Sequence, residues 1–195
     1  YIAFDVSLSI PGGANKYTVE REALRISDIK AAEGWASTNG VIIRPDGQES
    51  DRVELVGLPA NAQTIQPRLI QGRWLEPGDM NQVVVNEDLL EKEPQGGVGD
   101  ILTVKINGQE RELEVVGVAS LHMTGARVYM NYDALTRLTG QHNQVDVVRV
   151  LATPGTFSQP AKQDVIGQEL EKRFEDAQLS ESASQTRFEI FDTIG

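Results

Sequence analysis

Hydrophobic residues fall on alternate positions near the start of the chain, where Phe4, Val6, Leu8 and Ile10 are separated by Asp5, Ser7 and Ser9. A period of two is that of a half-buried strand, and Pro11, Gly12 and Gly13 are expected to end it. After Thr18 the period becomes helical. The Thr18 hydroxyl is placed to cap a helix whose first turn holds Glu20 and Glu22, where the helix dipole favours acids, while Val19, Ala23 and Ile26 supply an apolar face. The pattern predicts a short helix over 19–27. It weakens between Ile29 and Ile43, until β-branched Val41, Ile42 and Ile43 lead into Pro45, Asp46 and Gly47, a turn signature. Arg52 to Leu58 resume as a strand, so residues 41–44 and 52–57 are expected to pair as a hairpin.

From Pro67 onward the elements become short and are punctuated by glycine. Val83, Val84 and Val85 read as a buried strand, Asn86 as the cap of a helix running to Lys92, and 94–97 as a loop. Residues 101–106 and 110–118 alternate in polarity on either side of Asn107-Gly108, a strong hairpin signal because both residues tolerate positive φ. Val128 to Met130 form a strand, followed by a helix over 132–138 with Gly140 at its C-terminal end. Longer elements then return. Val145, Val147, Val148 and Val150 read as a strand, Pro154-Gly155 as a turn, and 163–177 as an amphipathic helix with Val165, Ile166, Leu170 and Phe174 on its apolar side. A polar run over 180–184 leads to a last strand, 187–191.

Strand, helix, strand at each end and a β-rich block between them predict an α+β fold. In this reading the ends combine into one split α/β subdomain, residues 1–62 and 141–195, and residues 63–140 form an inserted small β-rich subdomain.

Charge narrows the choice of function. The 195 residues carry 18 Lys plus Arg against 29 Asp plus Glu, a formal net charge of −11. Nucleic acid is excluded as an expected partner, since a phosphate backbone selects a basic surface and no basic cluster offsets the acidity. The longest apolar stretches, 83–85 and 115–119, are far shorter than the roughly 20 residues of a membrane-spanning helix. The chain contains no cysteine, which removes disulfides, thiolate metal sites and thiol nucleophiles together.

Candidate chemistry is sparse. His122 and His142 are the only histidines and stand in no H-x-x-x-H spacing, so both are expected to be loop or surface residues. Asp46, Glu49 and Asp51, or Glu87, Asp88 and Glu91, can be drawn around a cation, but neither set has the alternating ligands and glycine of a calcium loop. They read as a hairpin tip and a helix N-terminus. Gly96, Gly97 and Gly99 lack the Lys and Ser/Thr of a phosphate loop and read as turn glycines. No G-x-S-x-G elbow is present, and Trp35 and Trp74 read as core aromatics. The expectation is therefore no catalytic residue, no cofactor, no metal and no enzyme.

Several short runs in order are more specific. V-E-L-V-G-L-P at 53–59 is followed by G-R-W-L-E-P-G-D at 72–79, V-V-V-N-E at 83–87, V-G-D-I-L at 98–102 and V-V-G-V at 115–118. This set resembles the extracytoplasmic (periplasmic core) domain of MacB-like and FtsX-like ABC transporter permeases, over about residues 50–140. Physical reasons accompany the motifs: Gly72 and Gly78 allow turns that a β-carbon obstructs, Asn86 caps the next helix, and Gly99 with Asp100 opens a hairpin. Arg73 is expected to pair with a carboxylate and Trp74 to plug the small subdomain's core.

The resemblance implies a porter-like split subdomain and a location outside a cell membrane, on the periplasmic or extracellular side. It also implies that the chain is a fragment cut between transmembrane helices, consistent with its first residue being Tyr1. The implied partners are the permease's own transmembrane helices, a second permease subunit, a separate cytoplasmic ATPase, and an extracytoplasmic protein or lipoprotein. The implied role is transmission of ATP-driven conformational change to a substrate or partner. The rival role is a binding module that captures a lipoprotein, peptide or cell-wall hydrolase. A hydrolytic enzyme, the third class, would need convergent polar residues in a pocket.

Overall fold

The computed structural model describes residues 6–120, 125–153, 159–179 and 185–186. His122, the Pro154-Gly155 turn, the 180–184 linker and the 187–191 strand lie outside the described residues, as do the first two positions of the opening strand. The elements run β1 Val6–Asn15, α1 Lys16–Leu24, β2 Ile29–Ile43, β3 Val53–Leu58, β4 Arg68–Gly72, β5 Gln82–Asn86, α2 Glu87–Lys92, β6 Ile101–Ile106, β7 Gln109–Ser120, β8 Arg127–Asn131, α3 Tyr132–Thr139, β9 Gln144–Ala152, α4 Pro160–Asp176 and β10 Gln185–Thr186. The fold is mixed α and β, as expected.

The chain divides into two compact units. One holds the described residues of 36–61 and 67–142, and the other holds the described residues of 6–35, 62–66 and from Asn143 onward. These limits differ from the expected 1–62, 63–140 and 141–195. The reason is hydrogen bonding: Ala36 to Gly40 pair with β3, and β3 pairs with β8, so the hairpin belongs with the central block.

The first unit is a closed ring of strands. β2 pairs β3, β3 pairs β8, β8 pairs β5, β5 pairs β7, β7 pairs β6, and β6 returns to β2. Alternate side chains fill its interior. Ile42, Leu55, Val83, Val85, Leu102, Val104, Leu113, Val115 and Val128 form one buried cluster, joined by Leu135 of α3 and Leu89 of α2. Closure leaves ring strands without a free edge. Among the described residues β4 pairs only with β7, outside the ring, and all five of its residues are exposed. No apolar alternation marked β4 as a strand.

The second unit places β1 between β9 and β10, with the first part of β2 on the far side of β9, all antiparallel. Val6 and Leu8 stand opposite Val150 and Val148 and are buried with them, while α1 and α4 pack on β1 and on each other.

Four local expectations are corrected. The β1 strand does not stop at Pro11: Gly12 and Gly13 adopt φ of 79° and 78° and carry a register shift between Ser9 and Ala14, so the strand bulges and continues to Asn15. Asn15, not Thr18, caps α1, its Oδ1 accepting from the N–H groups of Tyr17 and Thr18. Residues 29–43, where the pattern weakened, are one 15-residue strand, because its two parts serve different ladders. In α4, Val165 is 52% exposed and Gln163 takes a buried place beside Ile166, Leu170 and Phe174.

Candidate functional site

The G-R-W-L-E-P-G-D run begins at the last residue of β4 and is held by three contacts, all in the first unit. At its start the backbone approaches β7 so closely that a β-carbon on Gly72 would stand 2.1 Å from the Val116 carbonyl oxygen, and one on Gly117 would stand 2.0 Å from that of Arg73. Only glycine fits on either side of this contact, which the Arg73 N–H seals by donating to Val116 at 3.0 Å.

The Arg73 guanidinium then folds back onto the turn it precedes. It donates to Asp79 at 2.8 and 3.3 Å and to the Trp74 carbonyl at 3.1 Å, while Asp79 also accepts the Glu76 N–H at 2.9 Å. Partial burial works to raise the Asp79 pKa, but the bonds from Arg73 and Glu76 and the guanidinium charge outweigh it and hold the carboxyl below its ordinary range. The expected Arg73–carboxylate pair is thus present, within a single turn.

Asn131 is the third contact. It stands at the N-terminus of α3 without capping that helix, and instead its side-chain amide donates to the Glu76 and Asp79 carbonyls at 2.8 and 3.0 Å. Trp74 does not plug the core. It is half-buried and tilted against Tyr129 with ring centroids 5.9 Å apart, and the neighbouring Leu75 is the buried residue. Together these residues make a stiff corner.

A second anchor joins Arg44 to Glu93, 49 positions apart. The guanidinium donates through Nη2 to Oε1 at 2.8 Å and through Nε to Oε2 at 3.0 Å, and Glu93 is 2% exposed. The bonds from Arg44 hold the Glu93 carboxyl low despite burial. No periodic signal could have matched two residues so distant.

In the second unit the Glu33 carboxylate accepts the backbone N–H groups of Gln63 and Thr64 at 3.0 and 2.9 Å, which ties the buried Thr64 and Ile65 down. Trp35 is buried there, with the Arg149 guanidinium stacked 3.9 Å from its ring centroid. A groove of about 680 Å³ lies along α1 and α4. Its Arg25 and Arg173 are already spent on the buried Glu22, at 3.3 and 3.2 Å, and its remaining acids and lysine are surface groups.

The other candidates do not converge. His142 is exposed between α3 and β9. Asp46 accepts the Gln48 N–H within its own turn and Glu49 pairs with Lys105 at 3.0 Å. Glu87 and Asp88 occupy the first turn of α2, and Asp88 accepts the Gly125 N–H at 2.7 Å. Gly96, Gly97 and Gly99 form turns closed by Glu93, Asp100 and Val115. Among the described residues no three His, Asp or Glu side chains are grouped to hold a metal ion.

No family model matches the chain, and no curated protein sequence does. Solved structures do. The periplasmic region of MacB from Actinobacillus actinomycetemcomitans superposes with a TM-score of 0.67 at 16% identity, covering 99% of this chain and 94% of that one. The chain has the MacB periplasmic fold. The extracellular domain of the noncanonic ABC-type transporter YknZ from Gram-positive bacteria shares it, with a TM-score of 0.63 at 16% identity over 93% of this chain and 98% of that one. So does a domain of a permease protein from Porphyromonas gingivalis, with a TM-score of 0.52 at 16% identity over 91% and 86% of the two chains. In this MacB-fold chain the two motif glycines, Arg73 and Asn131 all serve the corner at the end of β4. Among the described residues no helix is long and apolar enough to cross a membrane.

Proposed function

We propose that this chain is the extracytoplasmic domain of an ABC transporter permease and that it transmits ATP-driven conformational change to a substrate or partner. The observation that carries the reading is the whole-length match to the MacB and YknZ outer domains, which leaves almost nothing of either chain unaccounted for. The architecture suits such a role. A closed ring, a sheet covered by two helices, and corners clamped by Arg73–Asp79 and Arg44–Glu93 make bodies that move without deforming. The partners are then the transmembrane helices of the same permease, a second copy of it, and a cytoplasmic ATPase that supplies the bond-breaking step. The domain itself performs none.

The 195 residues contain no cysteine, so a single introduced one reports on this domain, with the unsubstituted full-length protein as the labelling background. The chain is expressed within its full-length protein with Asn61→Cys, an exposed position, and treated with a membrane-impermeant maleimide. The reading expects labelling in intact cells, after outer-membrane permeabilisation where there is one. Labelling only after lysis overturns it. Deleting the domain is expected to leave ATP hydrolysis by the complex measurable and to abolish transport; transport that survives the deletion rules out transmission.

A further inference from the structure

Residues directly opposed in an antiparallel pair lie on the same side of the sheet, and this rule defines the outward side of the barrel unit where β2, β6 and β7 meet. Leu102, Val104 and Leu113 are buried in the core, so the residues between them point outward. Val41 stands opposite Lys105, Lys105 opposite Glu110, and Ile101 opposite Glu114. Ile43 stands opposite Glu49 across the hairpin. The outward side thus carries half-buried Val41 and Ile43 and the exposed Ile101, with Thr103 opposite Ile43, and acid on both flanks, Glu49 on one and Glu110, Glu112 and Glu114 on the other. Ile101 is 55% exposed, the most exposed large aliphatic side chain among the described residues.

This arrangement is unfavourable when left bare. Glu110, Glu112 and Glu114 are all exposed on one strand, with alternate residues about 7 Å apart, inside the roughly 8 Å screening length at physiological salt. Lys105, the cation set among them, has its Nζ on Glu49 at 3.0 Å. On this side of the sheet four carboxylates, Glu49, Glu110, Glu112 and Glu114, therefore stand around one ammonium and the aliphatic side chains between them. An acidic rim alone is a solvated surface. An acidic rim around one exposed and two half-buried aliphatic side chains is complementary to a ligand with the opposite charge and its own aliphatic groups.

We propose that this side of the barrel is a docking surface for a basic protein segment in which lysine or arginine side chains alternate with aliphatic ones. The cations reach the glutamates on either flank and the aliphatic side chains cover Ile101, Ile43 and Val41. The chain's net charge of −11 steers such a segment inward. The proposal stands on the surface of the barrel alone and holds whichever side of a membrane the chain occupies, so maleimide labelling and the following experiment fail independently.

The test titrates the 195-residue chain, against fluorescein-labelled Ac-KVKIKVKG-NH2 and its counterpart Ac-EVEIEVEG-NH2, by fluorescence anisotropy. The lysine peptide is expected to bind and the glutamate peptide not. Glu112→Gln with Glu114→Gln should weaken binding about fivefold or more, and Ile101→Ala about threefold. Glu87→Gln with Glu91→Gln, which removes the same charge from exposed positions on α2, should change it less than twofold. Equal losses from the two double variants mean attraction to overall charge only and overturn the proposal. So does an unchanged affinity in Ile101→Ala, or no binding of the lysine peptide. Thermal melts of all variants are expected to stay within a few degrees of the parent, since every substituted side chain is solvent-exposed and the largest change is loss of the first-turn acid Glu87.

Discussion

Asn15 and Thr18 are three positions apart and both are residue types that cap helices; which one does so depends on where the preceding strand releases the chain. The bulge at Gly12 and Gly13 carries β1 on to Asn15, so the Asn15 carboxamide meets the orphan N–H groups first. Asn15→Ala is expected to cost about 1 kcal/mol and Thr18→Ala less than half of that, measured by urea unfolding. At the β4 corner, Gly117→Ala forces a methyl group against the Arg73 carbonyl at 2.0 Å. Overpacking of this kind costs about 1–3 kcal/mol or more, a fall in melting temperature of roughly 2–12 °C for a chain of this size. Asp79 and Glu93 have pKa values held below those of the unfolded chain. Their contribution to stability is therefore present above about pH 4–5, where both are ionised even when unfolded, and is lost as pH falls through the lower folded values. The denaturant midpoint should drop below pH 4, and the double variant Asp79→Asn, Glu93→Gln should have a lower but flatter profile over that range.

Elements were legible wherever one periodicity governed one environment. β6 and β7 alternate cleanly because one side faces the barrel core, and Asn107 and Gly108 take φ of 52° and 78° at the turn between them. β2 failed that test because its residues pass from a ladder with β9 to ladders with β3 and β6, so no single alternation spans it. In α4 Ile166, Leu170 and Phe174 are buried as expected and Val165 is not: Val165 sits next to Ile166 in sequence, and packing on β1 and α1 decides which of the two is inside. Phe174→Ala is expected to cost about 3–5 kcal/mol and Val165→Ala less than 0.5 kcal/mol, a contrast that denaturant unfolding of the two variants would reveal directly.

At the scale of the molecule, ring closure sets the distribution of local stability. A ring strand is bonded on both sides and must open several ladders before its amides meet water, whereas among the described residues β4 hangs on β7 alone. Hydrogen exchange should be slowest for the amides of Val83 to Val85 and Val115 to Val118, and faster by orders of magnitude in β4. Exchange in β4 as slow as in β5 would show that its outer edge is covered. The motif glycines belong to this scale as well. Gly72 and Gly117 are 45 positions apart in the chain, and the order of the motifs signalled that both mattered, but only their meeting across β4 and β7 shows what each is for.

Local chemistry along the chain was sufficient to specify most strands and helices, the Asn107-Gly108 turn, the Asn86 cap, the pairing of Arg73 with a carboxylate, and a motif order that resembles a MacB-type outer domain. These depend on neighbours a few positions away, or on patterns that repeat within one environment. The closed ring, the transfer of the 36–61 hairpin to the central block, the Arg44–Glu93 and Glu33 anchors, and the acid-rimmed aliphatic strip were decided by the tertiary structure. Each joins residues tens of positions apart through hydrogen bonds or shared burial, and such contacts leave no periodic trace because either partner alone is an ordinary surface residue until the fold brings the other to it.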